Sequence, residues 1–172
     1  TSVWYEAGSV FYGWMLGGTL AAILFCRIHR RPFYKTFSGL IPWILVAQIL
    51  NRLGCDVSGC CYGKPLNAPW AIYNPDVGKM LHPVQLYEAT LDFILLLVLP
   101  NIKRFSDAQK TGSYFICYAV GRFFLEFLRG DNLPVLLGMT VPQITSLCVL
   151  IIVFLTIYFQ PSPLARPSDS TK

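Results

Sequence analysis

Charged side chains inside an apolar segment are the first residues of this sequence that could do chemistry. In "YAVGRFFLEFLRGD", Arg122 and Glu126 are four residues apart, and Arg129 follows near the same face of a helix. A charge at the centre of a membrane helix costs about 2.5–3.5 kcal/mol on insertion scales, so such residues usually face one another or a cavity. We therefore expect an ion pair between Arg122 and Glu126, either as a structural link between helices or as part of a site.

The segment "LHPVQLYEATLD" holds a second set of polar residues. Pro83 suits the first turn of a helix, because its missing N–H would have no partner there in any case. This places His82 at the mouth of the helix and Gln85 and Glu88 inside it. His82 is a candidate base, with a hydrogen-bonding role at the helix start as the alternative.

Asp92 lies one turn after Glu88, and two carboxylates so close in an apolar environment need a nearby cation. Arg52, in "QILNRLG", is a candidate for that cation. Arginine forks bind phosphate and carboxylate groups through two parallel hydrogen bonds. The combined set therefore favours a polar cavity that receives an anionic head group.

The stretch "CDVSGCCYGKP" contains three cysteines, Cys55, Cys60 and Cys61. A structural zinc site needs four ligands, and adjacent Cys61 does not easily join the other two in one tetrahedron, so we expect no metal. A Cys55–Cys60 disulfide is sterically possible. Alternatively, Cys55 is a reactive thiolate, because Arg52 three residues earlier would lower its pKa. A simple bend at the membrane exit is the fourth interpretation.

The elements that must position these residues are membrane helices. The 172 residues are 54% hydrophobic and 13% charged, against about 25% charged in soluble domains. Lipid cannot satisfy backbone polar groups, so each apolar segment should be helical. We predict an all-α polytopic integral membrane protein with about five transmembrane helices, near Ser9–Cys26, Phe37–Leu53, Pro83–Leu99, Gly112–Leu128 and Val141–Phe159.

The basic residues predict the orientation. They concentrate in the first and third connections, "RIHRRPFYK" and "NIKRFSDAQK". We therefore predict that these loops are cytoplasmic, and we interpret their charge as a determinant of membrane topology rather than as a nucleic-acid-binding surface. The N-terminus and the loop from about residue 54 to 81 would then lie outside. We predict a single transmembrane domain over residues 1–160 and a disordered cytoplasmic tail over 161–172, rich in Pro and Ser.

Three motifs together resemble the bacterial prolipoprotein diacylglyceryl transferase family. "LHPVQLYEA" resembles its His-Pro-Ser/Thr-Gln-Leu-Tyr-Glu motif, "GRFFLEFLRGD" its Arg-x-x-x-Glu-Phe-x-Arg signature, and "MTVPQITSL" the segment that opens its last helix. Family members usually have two further helices upstream, so the resemblance implies a divergent member without them. It also implies a bacterial plasma membrane location.

The resemblance implies a reaction and its partners. A diacylglyceryl group would pass from phosphatidylglycerol to the cysteine thiol of a lipoprotein precursor, releasing glycerol phosphate, with no cofactor. We predict a catalytic set of Arg52, Cys55, His82, Arg122 and Glu126, of which Arg52, Arg122 and Glu126 match essential positions of the family. We predict a substrate-binding set of Tyr12, Gly63, Gln85, Tyr87, Glu88 and Arg129, of which Gly63 matches a functionally important glycine of the family.

Four positions depart from the family pattern, and two of them are Ser58 and Cys60, which fall where the family has an asparagine and a glutamate. Tyr12 falls where the family has a catalytic histidine, and Cys55 falls where it has an asparagine. A tyrosine with an ordinary pKa near 10 is a poor base at neutral pH. A divergent relative with cysteine-based transfer to another acceptor therefore stays open, as does a non-catalytic subunit of a larger membrane complex.

Overall fold

A computed structural model describes residues 9–158 of the chain. In chain order it contains helices α1 (Ser9–Ile28) and α2 (Phe33–Val57), strands β1 (Ile72–Asn74) and β2 (Lys79–Leu81), helices α3 (Val84–Val98) and α4 (Asp107–Leu125), a 3₁₀ turn (Glu126–Leu128) and helix α5 (Val141–Tyr158). The described part is therefore mostly helical, as the sequence predicts. The predicted disordered tail lies outside the described residues.

Helix α2 is the one helix of the described region that is long and apolar enough to cross a membrane, judged by length and composition. The Val141–Thr156 part of α5 is a shorter apolar helix. Large apolar side chains are exposed along α2, with Trp43 at 73% and Leu50 at 64%. Such a surface is typical of a helix that needs an apolar environment.

The core lies where α2, α3 and α4 meet. Tyr114 of α4 donates a hydrogen bond from its hydroxyl to Gln48 of α2, at 3.2 Å. Rings and branched aliphatic side chains fill the space around it. The buried cluster comprises Phe37, Ile41, Leu45, Leu95, Leu99 and Tyr114.

Helices α3 and α4 approach each other closely at Gly121. A side chain at this position would run into Leu91 of α3. Glu88 lies three residues before Leu91 and Arg122 directly follows Gly121, so the close approach brings these two charged residues together.

At its other end, α4 begins with a capping box in which Ser106 and Gln109 satisfy each other's backbone N–H groups.

The connection between α2 and α3 contains a β-hairpin that the all-α prediction misses. Strands β1 and β2 pair antiparallel, with Tyr73 opposite Met80. The Asn74 side-chain oxygen accepts hydrogen bonds from the backbone N–H groups of Asp76 and Val77. Gly78, at φ +68°, completes the turn. An asparagine turn followed by glycine is a hairpin signal, which helix-length hydropathy windows do not detect.

Gly63 ties the ends of three helices together. Its N–H donates to the His82 carbonyl at 3.2 Å, and the next residue, Lys64, donates to the carbonyl of Leu128 at 2.8 Å. The N–H of His82 in turn donates to the carbonyl of Lys64, at 3.0 Å. A Cβ atom at Gly63 would lie only 2.5 Å from the His82 carbonyl oxygen. The backbone after α2 therefore runs between the start of α3 and the end of α4.

Candidate functional site

Glu88 is the centre of a buried group of ions. Its Oε2 lies 2.5 Å from the Nε atom of Arg52, and its Oε1 contacts the Nη1 atom of Arg122. The Nη1 atom of Arg129 is 3.9 Å from the same Oε1. Glu88 is only 5% exposed. One carboxylate on α3 thus links arginines from α2, α4 and the turn after α4.

Arg122 also pairs with Glu126, as the four-residue spacing predicts. The Nη2 and Oε2 atoms are 3.3 Å apart. The other oxygen of Glu126 accepts hydrogen bonds from Asn132 at 2.5 Å and from the Thr140 hydroxyl at 2.8 Å. These polar contacts keep Glu126 oriented towards Arg122, since a buried carboxylate needs donors for its lone pairs.

Arg129 is held by Asp131, which the sequence analysis did not assign to the site. Its Nε and Nη2 atoms donate to the two carboxylate oxygens at 2.9 and 2.6 Å, a two-pronged pair. Burial on its own would lower the pKa of Arg129, but the hydrogen bonds and charge of Asp131 raise the pKa above its ordinary value. Arg129 therefore stays a fixed cation beside Glu88.

The arginines keep donors that no carboxylate uses. An arginine has five N–H groups, and the close contact between Arg52 and Glu88 is made through one of them, at Nε. Asp92 lies one turn from Glu88 and is 2% exposed, and its Oδ1 has no hydrogen-bond partner in the described part of the chain. The group can thus accept a further anion at Arg52 and a further donor at Asp92.

His82 and Gln85 line a separate cavity of about 290 Å³ at the end of α2, together with Asp56, Tyr62 and Tyr73. The Nδ1 atom of His82 is buried and has no hydrogen-bond partner among the described residues. Tyr87 presents its ring to His82, with 6.3 Å between the centroids. His82 is therefore placed at a cavity, although no ion pair or hydrogen bond joins it to the arginine group in the described structure.

The thiol cluster, Cys55, Cys60 and Cys61, lies at the end of α2. All three sulfur atoms lie within 4.8 Å of one another, and the described cysteines are free thiols. Cys61 was not expected to join its neighbours easily, but it adopts φ +60° and its sulfur lies beside theirs. Burial, followed by the neighbouring Cys61, raises the pKa of the Cys60 thiol. Cys60 is thus not an activated thiolate by itself.

The predicted site residues lie in the ion group, at the cavity and in the thiol cluster. His82, with Tyr87 beside it, lies at the cavity, and Cys55 belongs to the thiol cluster. Arg52, Glu88, Arg122, Glu126 and Arg129 form the buried ion group. Gly63 and Gln85 lie between that group and the thiol cluster, since Gln85 donates to the Cys60 carbonyl at 2.6 Å. Tyr12 falls within the span of α1, and its side chain lies outside the described residues.

The family model described as prolipoprotein diacylglyceryl transferase matches residues 1–159. The chain belongs to the prolipoprotein diacylglyceryl transferase family. This confirms the resemblance seen in the three motifs, which contribute Glu88, Glu126 and Gln143 among other residues to the buried structure.

Curated relatives carry the name phosphatidylglycerol–prolipoprotein diacylglyceryl transferase. The protein from Clostridium tetani is 35% identical over 158 residues, which cover 84% of this chain and 61% of the relative. The Finegoldia magna protein is 33% identical over 84% of this chain and 58% of its own length. The Trichormus variabilis protein is 31% identical over 85% and 57%. The chain spans about three fifths of the length of these relatives.

Sequence reasoning missed the residues that hold the ion group in place. Asp131 was visible two residues after Arg129, but nothing in the sequence showed that it would fold back onto that arginine. Asn132 and Thr140 reach Glu126 only because the segment between α4 and α5 returns to the end of α4. Gln143, which accepts from the Thr140 N–H at 3.0 Å, lies in the "MTVPQ" motif.

Proposed function

We propose that the chain transfers a diacylglyceryl group from phosphatidylglycerol to the cysteine thiol of a lipoprotein precursor, releasing glycerol phosphate. The observation that carries the proposal is the buried group in which Glu88 holds Arg52, Arg122 and Arg129 together. Family membership and the names of the relatives support the same reaction.

In this proposal the arginines receive the phosphate group of the lipid. The free N–H groups of Arg52 take phosphate oxygens, and Arg122 neutralises the charge that develops on the leaving glycerol phosphate. Glu88 and Glu126 are positioning residues, because each keeps an arginine in a fixed orientation. Tyr87 and Gln85 would border the acceptor, since Gln85 lines the cavity beside the thiol cluster.

The proposal places the chain in the bacterial plasma membrane, with about five helices crossing it. The N-terminus and the hairpin would face outward and the C-terminal tail would face the cytoplasm. The exposed apolar side chains of α2 and α5, such as Trp43 and Phe154, support this placement. Phosphatidylglycerol and the lipoprotein precursor are the proposed partners.

A direct transfer assay tests the reaction. The full chain, purified and reconstituted with phosphatidylglycerol vesicles, is incubated with a peptide that carries one acceptor cysteine, and the lipidated peptide is measured by mass spectrometry. Arg122→Ala should reduce the product at least 100-fold, because one preorganised contact to developing charge contributes about 2.7–4 kcal/mol. Arg104→Ala is the matched control, since this exposed arginine lies outside the ion group.

Absence of lipidated peptide would contradict the proposal. If the wild-type chain forms no lipidated peptide under conditions where a full-length relative does, the transferase proposal fails. Stable co-purification with other membrane proteins would then favour the non-catalytic subunit. The thiol cluster at the family's asparagine position favours a second candidate, a divergent transferase that uses its own cysteines; lipid bound covalently to Cys55 in the intact chain would identify it.

A further inference from the structure

Three thiols lie together at the end of α2, and the ion group does not account for them. The sulfur atoms of Cys55, Cys60 and Cys61 lie within 4.8 Å of one another. Three sulfurs bound to one zinc ion at about 2.3 Å in a tetrahedral arrangement lie about 3.8 Å apart. Each pair of sulfurs therefore needs to close by at most about 1 Å, which side-chain rotation supplies.

The backbone is arranged so that two consecutive cysteines join the same cluster. Successive side chains of an extended segment point to opposite sides. Cys61 instead takes a left-handed conformation at φ +60°, which is unfavourable for a residue other than glycine. Gly59, at φ +67°, turns the chain back after α2. The fold thus brings both thiols to Cys55 at a conformational cost.

Contacts from two helices hold the cluster in place. The N–H of Cys60 donates to the Cys55 carbonyl at 3.2 Å, which closes the turn after α2. Gln85 of α3 donates to the Cys60 carbonyl at 2.6 Å. The backbone that carries Cys55 and Cys60 is therefore fixed relative to both α2 and α3, while the thiols can still rotate.

The cluster offers three ligands and access from outside. Cys55 and Cys61 are half-buried and Cys60 is exposed. Within the described region no fourth Cys, His, Asp or Glu joins the group. Structural zinc sites have four protein ligands, whereas sites with three protein ligands keep a position for water or substrate. The ligand number and the access together favour an open site.

We propose that Cys55, Cys60 and Cys61 bind a zinc ion, and that the open fourth position takes the thiol of the acceptor cysteine. The second part rests on the proposed function. Three thiolates and Zn²⁺ carry a net charge of −1, and Cys61 is close enough to Arg52 and Arg129 to interact electrostatically with both. The arginines thus stabilise the loaded site and place it next to the lipid phosphate.

The coordinated acceptor thiol loses its proton to solvent, because a thiol bound to zinc is deprotonated. Its sulfur then attacks the glyceryl carbon that carries the phosphate ester. The sulfur–carbon bond forms while the carbon–oxygen bond breaks, and the electron pair leaves with glycerol phosphate. The step needs no oxidant and no further co-reactant, and it supplies a thiolate without a histidine at position 12.

Metal content tests the first part without any activity measurement. The full chain, purified in detergent under reducing conditions and loaded with Zn²⁺, should retain about one zinc ion per chain after gel filtration, as a three-thiolate site would. Cys60→Ser should lose the ion, whereas Cys117→Ser should keep it, because exposed Cys117 is not part of the cluster. Circular dichroism confirms that both variants are folded.

Two results would overturn the zinc site. One is a wild-type chain that retains no zinc in excess of the Cys60→Ser variant. The other is a Cys55–Cys60 disulfide, found by peptide mapping, that persists under reducing conditions and excludes the ion. Because both readouts are independent of lipid transfer, either result leaves the proposed transferase reaction standing.

The open position is tested with cobalt in place of zinc. The sulfur-to-cobalt absorption band of the Co²⁺-loaded chain should change when a cysteine peptide is added, and it should not change with the same peptide carrying serine. An unchanged band with the cysteine peptide removes acceptor binding from the proposal. A changed band in a chain that transfers no lipid would instead place the failure in the transferase reaction.

Discussion

Replacing Glu88 by glutamine removes the negative charge on which the buried arginines converge. The change keeps the size of the side chain but substitutes an amide for the carboxylate. One carbonyl oxygen can still accept from a single arginine. The amide nitrogen is a donor, so it repels the N–H groups of the other arginine, either Arg52 or Arg122.

The magnitude follows from the burial of the group. Glu88 is 5% exposed and the Arg52 side chain is 9% exposed, so water cannot replace the lost charge. Removing one partner of a buried ion pair costs about 3–5 kcal/mol. A chain of this size loses about 2–4 °C in its thermal midpoint per kcal/mol, so Glu88→Gln should unfold about 6–20 °C below the wild type.

Thermal unfolding in detergent, followed by intrinsic fluorescence, measures this difference. Asp76→Asn is the matched control, because Asp76 is exposed in the hairpin turn and its neutralisation should change stability by less than about 0.5 kcal/mol. Inorganic phosphate should restore part of the loss in Glu88→Gln. A ligand at ten times its dissociation constant stabilises the folded state by about 1.4 kcal/mol, or about 3–6 °C.

Two outcomes would refute the reasoning about Glu88. If Glu88→Gln lowered the free energy of unfolding by less than about 1 kcal/mol, the arginines would be hydrated or paired with other groups. A phosphate effect of the same size in the wild type and in Glu88→Gln, measured against chloride at equal ionic strength, would mean that phosphate does not bind where the carboxylate was. The position that the carboxylate vacates would then not be an anion site.

Three further predictions follow from local geometry. Gly63→Ala should lower the free energy of unfolding by about 1–3 kcal/mol, because the methyl group meets the His82 backbone. Gly39→Ala, in the second turn of α2 with open space around it, should raise the free energy of unfolding by about 0.5–1 kcal/mol; thermal unfolding compares the two variants. Asn74→Ala should lower the free energy of unfolding by about 1–3 kcal/mol, because the Asn74 amide donates a hydrogen bond to the Gly59 carbonyl at 2.8 Å. The hairpin of this variant should also be cleaved faster in limited proteolysis. In the metal-free chain, burial raises the pKa of the Cys60 thiol, so less of it is thiolate at neutral pH. Iodoacetamide should therefore modify Cys60 more slowly at neutral pH than it modifies an unstructured cysteine, and the rate of modification of Cys60 should keep rising to higher pH.

Much of the helical framework could be predicted from the sequence because apolar length and helical spacing are local properties. The Arg122–Glu126 pair depends only on a four-residue separation across the end of α4 and the 3₁₀ turn, and it is present. The Arg52–Glu88 contact was foreseen from charge balance, since a buried carboxylate needs a cation and few were available. Both predictions rest on the cost of leaving a charge unpaired.

The features that the sequence did not predict form where loops fold back onto helices, and such loops have no periodic sequence pattern. The hairpin and the Asp131 contact form where loops fold back, and hydropathy carries little information about such turns. From the spacing, adjacent Cys61 was not expected to join Cys55 and Cys60 easily in one tetrahedron. One left-handed residue reverses that judgement.

The ion group and the thiol cluster meet through the segment at Gly63, and this connection limits how either can change. Gly63 pairs with His82 on one side and with Arg129 on the other, two residues after Cys61. A displacement of the thiols therefore moves the backbone that carries Arg129, and a loss of Glu88 releases Arg129 from the opposite side. Since the proposed reaction needs the phosphate and the acceptor sulfur at one carbon atom, a rigid link between their two sites is what in-line transfer requires.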